Sequence, residues 1–201
     1  MKNSLIIVLF FVLGVVVGIN DFLPQFWLQN DLSSYALYLL IFLVGIEVGS
    51  DSASWKLLKS HKFKIFLIPI TTIFGTMIGT SLISFAFQTV SMKDAMAVGA
   101  GFGYYSLSSI IISQMAGKTL GVIALLANIT REIFTLLFTP ILVKVFGKLA
   151  PIVSGGATSM DTTLPIITRF TGTGYAIISV FHGTVLTILV PIIVTFILKF
   201  L

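Results

Sequence analysis

The stretch at residues 170–198, FTGTGYAIISVFHGTVLTILVPIIVTFIL, decides the fold class. It contains no Asp, Glu, Lys or Arg. A helix needs about 20 apolar residues to cross a bilayer core, and this run is long enough. Residues 65–92 form a second uncharged run of similar reach. The whole chain agrees: 57% of its 201 residues are hydrophobic and 9% are charged, with mean hydropathy +1.10. A soluble domain carries about 25% charged residues, so this chain has too few charges to solvate a globular surface. The apolar runs are continuous rather than alternating, which is not the pattern of a membrane β-barrel. The class predicted is an all-α, multi-span membrane protein, with residues 1–201 forming one integral membrane domain and leaving no room for a soluble one.

Seven apolar segments are expected, at roughly 4–22, 34–50, 64–89, 95–116, 119–146, 150–169 and 172–199. Lys2 followed by an apolar run resembles a signal peptide. No small-x-small cleavage site follows Gly18 and further spans come afterwards, so a retained first span is the better reading. Lys56, Lys59, Lys62, Lys64 and His61 cluster after the second segment, whereas Asp21 and Asp31 precede it. The positive-inside rule then places 51–64 and the N-terminus in the cytoplasm, and an odd number of crossings places the C-terminus outside. Lys144 and Lys148 fit this count poorly unless 150–169 is not a simple span. The net charge of +5 is no nucleic-acid signal, because the basic residues sit in short loops that orient a membrane protein. The absence of cysteine excludes thiolate metal sites and disulfides, and neither a cofactor nor a metal is expected. Small residues four apart, at Gly14/Gly18, Gly45/Gly49 and Gly75/Gly79, permit close helix approach.

An ionisable residue inside a membrane segment costs at least about 3 kcal/mol at its centre, so such residues mark function or a polar network. The foremost is Asp161 in GGATSMDTTLP, residues 155–165. Glycines before it and Pro165 after it interrupt helices, and Thr158, Ser159, Thr162 and Thr163 offer hydroxyls to the freed backbone. Broken backbone at membrane depth is tolerated only inside protein or against a wet cavity, and discontinuous helices build transporter sites. A cation or proton site at Asp161 is one reading; a helix-capping aspartate in an interfacial loop is the other.

The segment GAGFGYYSLSS, residues 99–109, is a second interruption, with glycines at Gly99, Gly101 and Gly103 and hydroxyls at Tyr104, Tyr105, Ser106, Ser108 and Ser109. It lacks GxGxxG spacing and a nucleotide-binding context. It reads either as an unwound substrate contact or as a glycine-rich packing face. In LLANITREIFTLLF, Asn128 and Glu132 share a helix face, while the neighbours Arg131 and Glu132 do not face one another. Arg131 suits a substrate carboxylate or an acidic partner; a structural polar network is the alternative. His182 is either a contact between helices or a proton carrier. Glu47 sits near the end of its segment and is expected to snorkel to the surface.

Together, AVGAGFGYYSLSSIII, ANITREI, GGATSMDTTLPII and FHGTVLTILVPIIVTF resemble the lysine exporter LysO family, from about residue 34 to the end. The resemblance implies export of L-lysine and toxic lysine analogues across the bacterial cytoplasmic membrane. It carries the family's important acid onto Asp161. The glycine-rich element falls on Gly101, Phe102, Gly103, Tyr105, Ser106 and Ser108, and the polar helix on Asn128, Arg131 and Glu132; His182 and Gly183 also match. Full-length members carry a further N-terminal block of three spans with a second functional acid. The chain therefore resembles the larger half of a split member, with a small membrane protein as partner, and the whole is expected to be an inverted-repeat transporter.

Lysine brings two ammonium groups and one carboxylate. Asp161 would meet an ammonium; backbone N–H groups and hydroxyls around 101–108 and 158–163, or Arg131, would meet the carboxylate. A carboxylate withdrawn from water holds a proton more readily, which suggests proton-coupled antiport. Three rivals stand beside this reading. One is a transporter of another amino acid, cation or organic anion. Another is an intramembrane hydrolase using Ser159 or Ser106 with His182, which no GxSxG or HExxH motif supports. The third is a non-transporting assembly subunit.

Overall fold

The computed structural model describes residues 63–86 and 90–201, and before residue 63 only the helical positions Leu13, Val16, Val17, Tyr35, Leu39, Phe42, Ile46 and Ser50. The rest of the segments at 4–22 and 34–50, Glu47, Lys56, Lys59, His61 and Lys62 lie outside the described residues. Contacts divide the chain into two units, Met1–Leu39 and Leu40–Leu201. The continuous described stretches belong to the second.

Every described element is helical. A 3-10 turn at Phe63–Phe66 leads into α1, Leu67–Ser84. Then come α2 (Met92–Gly99), α3 (Tyr105–Ala116), α4 (Lys118–Phe146), α5 (Ala150–Gly155), a 3-10 turn at Gly156–Met160, α6 (Leu164–Thr171) and α7 (Thr173–Phe200). Local chemistry sets the boundaries. The Ser91 hydroxyl accepts the Asp94 N–H at 3.1 Å, and Asp94 adds a negative charge to the first turn of α2. Prolines sit at the starts of α5 and α6, where no N–H is needed.

Among the described residues, three helices are long and apolar enough to cross a membrane: α1, α4 and α7. They correspond to the expected segments 64–89, 119–146 and 172–199. The expected segments 95–116 and 150–169 are each interrupted. The first is α2 and α3 separated by turns at 100–104; the second is α5, a 3-10 turn and α6. Lys144 and Lys148 thus precede a segment that is not a simple helical span. One unit occurs twice: an interrupted helix, a glycine turn, then a long helix. The two turns have nearly the same backbone, φ 96° and ψ 157° at Gly117 and φ 96° and ψ 159° at Gly172. A side chain rarely adopts that conformation, whereas glycine does so freely.

The outside is apolar, and the interior mixes apolar residues such as Phe102, Leu107, Ile112, Phe181 and Leu186 with many polar ones. Leu67, Ile70, Phe74, Ile78 and Leu82 form an exposed stripe along α1. The buried polar residues include Thr72, Ser108, Asn128, Thr135, Thr139, Thr163, Ser179, His182 and Thr187. Water as the surrounding solvent would disfavour so apolar an exterior; lipid favours it, and requires that backbone and side-chain polar groups be satisfied within the protein. Half of the apolar window of α7 is buried, against 17% for α1 and 22% for α4, so α7 is the central helix. It packs against α2, α3 and the whole interrupted segment 150–171.

The two interruptions touch. The Ala157 N–H donates to the Phe102 carbonyl at 2.8 Å. Phe102 is fully buried and holds φ 45°, a left-handed conformation costly for a side chain of that size. The contact aims its carbonyl at the second interruption. Gly156, at φ 63°, lies so near that an added Cβ would overlap the same carbonyl oxygen. Gly156→Ala should therefore destabilise the protein by about 2–4 kcal/mol through overlap and strain. Thermal unfolding of the detergent-solubilised variant measures this; an unchanged melting temperature would refute the close crossing.

Candidate functional site

The crossing of the two interruptions gathers most of the polar residues singled out in the sequence, and α4 braces it from one face. Asn128 is buried and uses its whole amide. Its Oδ1 accepts the Gly103 N–H at 2.7 Å, and its Nδ2 donates to the Val98 carbonyl at 3.1 Å and the Ala124 carbonyl at 2.9 Å. Gly101 leaves room for that amide, since a Cβ there would fall 2.5 Å from Nδ2. One turn on, Arg131 donates from Nε to the Ser154 carbonyl at 2.8 Å and from Nη2 to the Val153 carbonyl at 3.0 Å. Its Nη1 reaches Thr76 Oγ1 on α1 at 3.4 Å. Thr135 completes the stripe, donating to the Arg131 carbonyl at 3.0 Å and meeting Ser154 Oγ at 2.7 Å. The bracing face of α4 is thus 128, 131 and 135. Arg131, expected to suit a carboxylate, is engaged here by main-chain carbonyls.

From the other side, α7 fixes the second interruption. Ser159 Oγ and Ser179 Oγ each donate to the other's carbonyl, at 2.9 and 2.8 Å. His182, fully buried, spends both ring nitrogens: Nδ1 on Ser159 Oγ at 3.2 Å and Nε2 on Thr72 Oγ1 at 2.9 Å. One imidazole therefore links α1, α7 and the interruption. Thr158 Oγ1 donates to the Gly155 carbonyl at 2.9 Å, and Thr163 Oγ1 to the Thr158 carbonyl at 2.9 Å. Ser108, also buried, donates to the Tyr104 carbonyl at 2.8 Å. Ser159 and His182 do meet, as a nucleophile and base would. Both are fully buried, however, and the far ring nitrogen goes to a threonine rather than to an orienting carboxylate.

Asp161 stands apart from this interior. It follows the 3-10 turn and is exposed. One carboxylate oxygen, Oδ1, accepts from the Thr162 N–H and from Thr162 Oγ1, the latter at 3.2 Å. The carboxylate is therefore oriented without being buried in an ion pair. Tyr105, the first residue of α3, is half-buried and within electrostatic reach of both Asp161 and Glu132. Ser106 follows it, also half-buried, its carbonyl 3.5 Å from Ser109 Oγ. The candidate residues thus form two sets. Gly101, Gly103, Ser108, Asn128, Arg131, Thr158, Ser159 and His182 build the crossing, while Tyr105, Ser106 and Glu132 are half-buried and Asp161 and Thr162 exposed. Sequence reading missed several bracing groups: Thr72, Thr135, Ser154 and Ser179. Thr135, four residues after Arg131, and Ser154, directly before the paired glycines, carried a positional signal; Thr72 and Ser179 carried none.

The lysine exporter LysO family matches residues 8–198 of this chain, further toward the N-terminus than the motifs alone reach. The lysine exporter LysO of Escherichia coli strain K12 is 30% identical over 187 residues, covering 92% of this chain and 60% of that protein. A putative lysine exporter of Haemophilus influenzae is 32% identical over 191 residues, covering 94% of this chain and 95% of that protein. The chain therefore spans less than two thirds of the Escherichia coli relative and nearly all of the Haemophilus influenzae one. No solved structure matches.

Asn128→Leu removes the acceptor of the Gly103 N–H and the donor to Val98 at a buried position. Each group left unpaired costs about 1–3 kcal/mol. The variant should lose about 2–4 kcal/mol of stability, read as a lower melting temperature. A variant as stable as the parent would contradict the bracing role.

Proposed function

Because the chain belongs to the lysine exporter LysO family, we propose that it exports a dibasic amino acid, L-lysine above all, across the cytoplasmic membrane. The observation that carries this reading is Asp161: an oriented carboxylate at a helix interruption, beside the crossing of a second one. Both Thr162 contacts use Oδ1, so Oδ2 is the oxygen that an ammonium would approach. Glu132, like Asp161, acts electrostatically on Tyr105, and a second carboxylate suits a substrate with two ammonium groups. The substrate carboxylate is met by the first-turn N–H groups at the start of α3, where the helix dipole is positive. The Ser106 hydroxyl lies in that same turn.

Export is coupled to protons through Asp161. A bound ammonium holds the carboxylate ionised. Once lysine leaves, the empty site takes a proton from the outside and returns neutral. The carboxylate thus crosses paired or protonated, never as a bare charge in a low-dielectric setting. A companion membrane protein supplies the length by which the Escherichia coli relative exceeds this chain; this belongs to the same proposal, as does an N-terminus inside and a C-terminus outside.

Asp161→Asn keeps size and shape and removes the charge. It should abolish lysine efflux from cells or proteoliposomes, by at least about 100-fold, at normal protein level. Unchanged efflux would defeat the proposal. A protonophore should collapse lysine accumulation driven by an imposed proton gradient; persistence of that accumulation would remove the coupling step. Lysine-analogue resistance in cells expressing the chain with and without a neighbouring small membrane protein tests the partner.

A further inference from the structure

The structure assigns Arg131 a role beyond bracing. We infer that its guanidinium is a resident cation at a carbonyl site that would otherwise collect a metal cation, so that neither sodium nor potassium drives this transporter. The inference deepens the export reading by naming what the coupling ion is not. Only its flux measurement rests on that reading.

Discontinuous helices end in carbonyls that no longer bond along the helix. In transporters, such ends and unwound carbonyls coordinate sodium ions or protons. Here the Val153 and Ser154 carbonyls lie in the last turn of α5, directly before the interruption at Gly156. Both accept from Arg131, at 3.0 and 2.8 Å. Thr76 Oγ1 at 3.4 Å completes an all-oxygen set drawn from α1 and α5. Neutral hard oxygens of this kind suit a hard cation. None of the three Arg131 partners is a carboxylate. The guanidinium thus stands as a single positive charge among neutral oxygens, as a bound monovalent ion would. It also packs directly on the turn, since a Cβ at Gly156 would lie 3.5 Å from Cζ. A guanidinium tethered to the chain cannot leave or be exchanged as a free ion can. The carbonyls are neutralised throughout the cycle without drawing on an external ion.

The test has two arms. In the first, the purified chain and Arg131→Ser are melted in detergent in about 0.15 M sodium, lithium, potassium or choline chloride. Removal of the tethered charge exposes the oxygens to bulk cations. A ligand bound only by the folded state raises stability by mass action, so the melting temperature of Arg131→Ser should rise by about 3–6 °C in a metal salt over choline. The parent and Arg131→Lys should be indifferent. A folded Arg131→Ser without a cation response overturns the inference, and so does a parent protein stabilised by sodium or potassium. Should Arg131→Ser not fold, Arg131→Gln is melted in its place and judged by the same two outcomes. In the second arm, efflux of labelled L-lysine from proteoliposomes should agree within twofold in sodium, potassium and choline media at fixed pH. A fivefold requirement for either metal ion overturns the inference. If no lysine flux appears while Arg131→Ser still responds to sodium, the export reading fails and the resident-cation inference stands.

Discussion

Everything in the described part of this molecule depends on one contact, between the backbones of two interrupted helices. The Ala157 N–H reaches the Phe102 carbonyl at 2.8 Å. Helices cannot ordinarily meet through their main chains, because side chains hold the axes about 8–10 Å apart. The meeting is possible here because both helices are unwound at the crossing and Gly156 has no side chain. The strained Phe102 backbone persists because its carbonyl is held in place.

Once the crossing exists, its polar groups must be satisfied without water. Two long helices provide for this by different chemistry. From α4 come an amide and a guanidinium, three residues apart, one for each interruption. From α7 come a serine and a histidine, which lock the second interruption to α1 as well. A fixed scaffold of this kind lets a neighbouring carboxylate change its partner without collapse of the surrounding backbone. The set around Asp161 is lightly held in comparison, its carboxylate bonded through one oxygen to the adjacent residue. Rigidity at the crossing and exposure at Asp161 are complementary features that the proposed export role would use.

Much of this was legible in the sequence, and the reasons are local. The uncharged runs announce α1 and α7, because span length follows from bilayer thickness. The glycines and prolines around Asp161 announce an interruption, because they act on the backbone where they stand. The motifs at 99–109, 128–132, 155–165 and 182–183 include the residues that meet at the crossing. The division of labour among them was not legible. Arg131 reads either as a ligand for an anion or as part of a polar network, and it binds carbonyls 22 and 23 residues away. His182 reads as a contact between helices or a proton carrier, but its partners, Thr72 and Ser159, could not be read. Such pairings depend on which helix faces meet, and periodicity in one helix carries no information about its partner.

By itself, the sequence determined the membrane class, the long apolar helices, the two interruptions and the singular position of Asp161. These are properties of composition and of backbone propensity, which act within a few residues. Only the tertiary structure decided that the interruptions cross, that Asn128, Arg131, Ser159 and His182 build that crossing, and that Asp161 and Thr162 stay exposed. Hydrogen bonds over long sequence separations are directional and need partners at about 3 Å. Where those partners stand is fixed by packing, not by the order of residues along the chain.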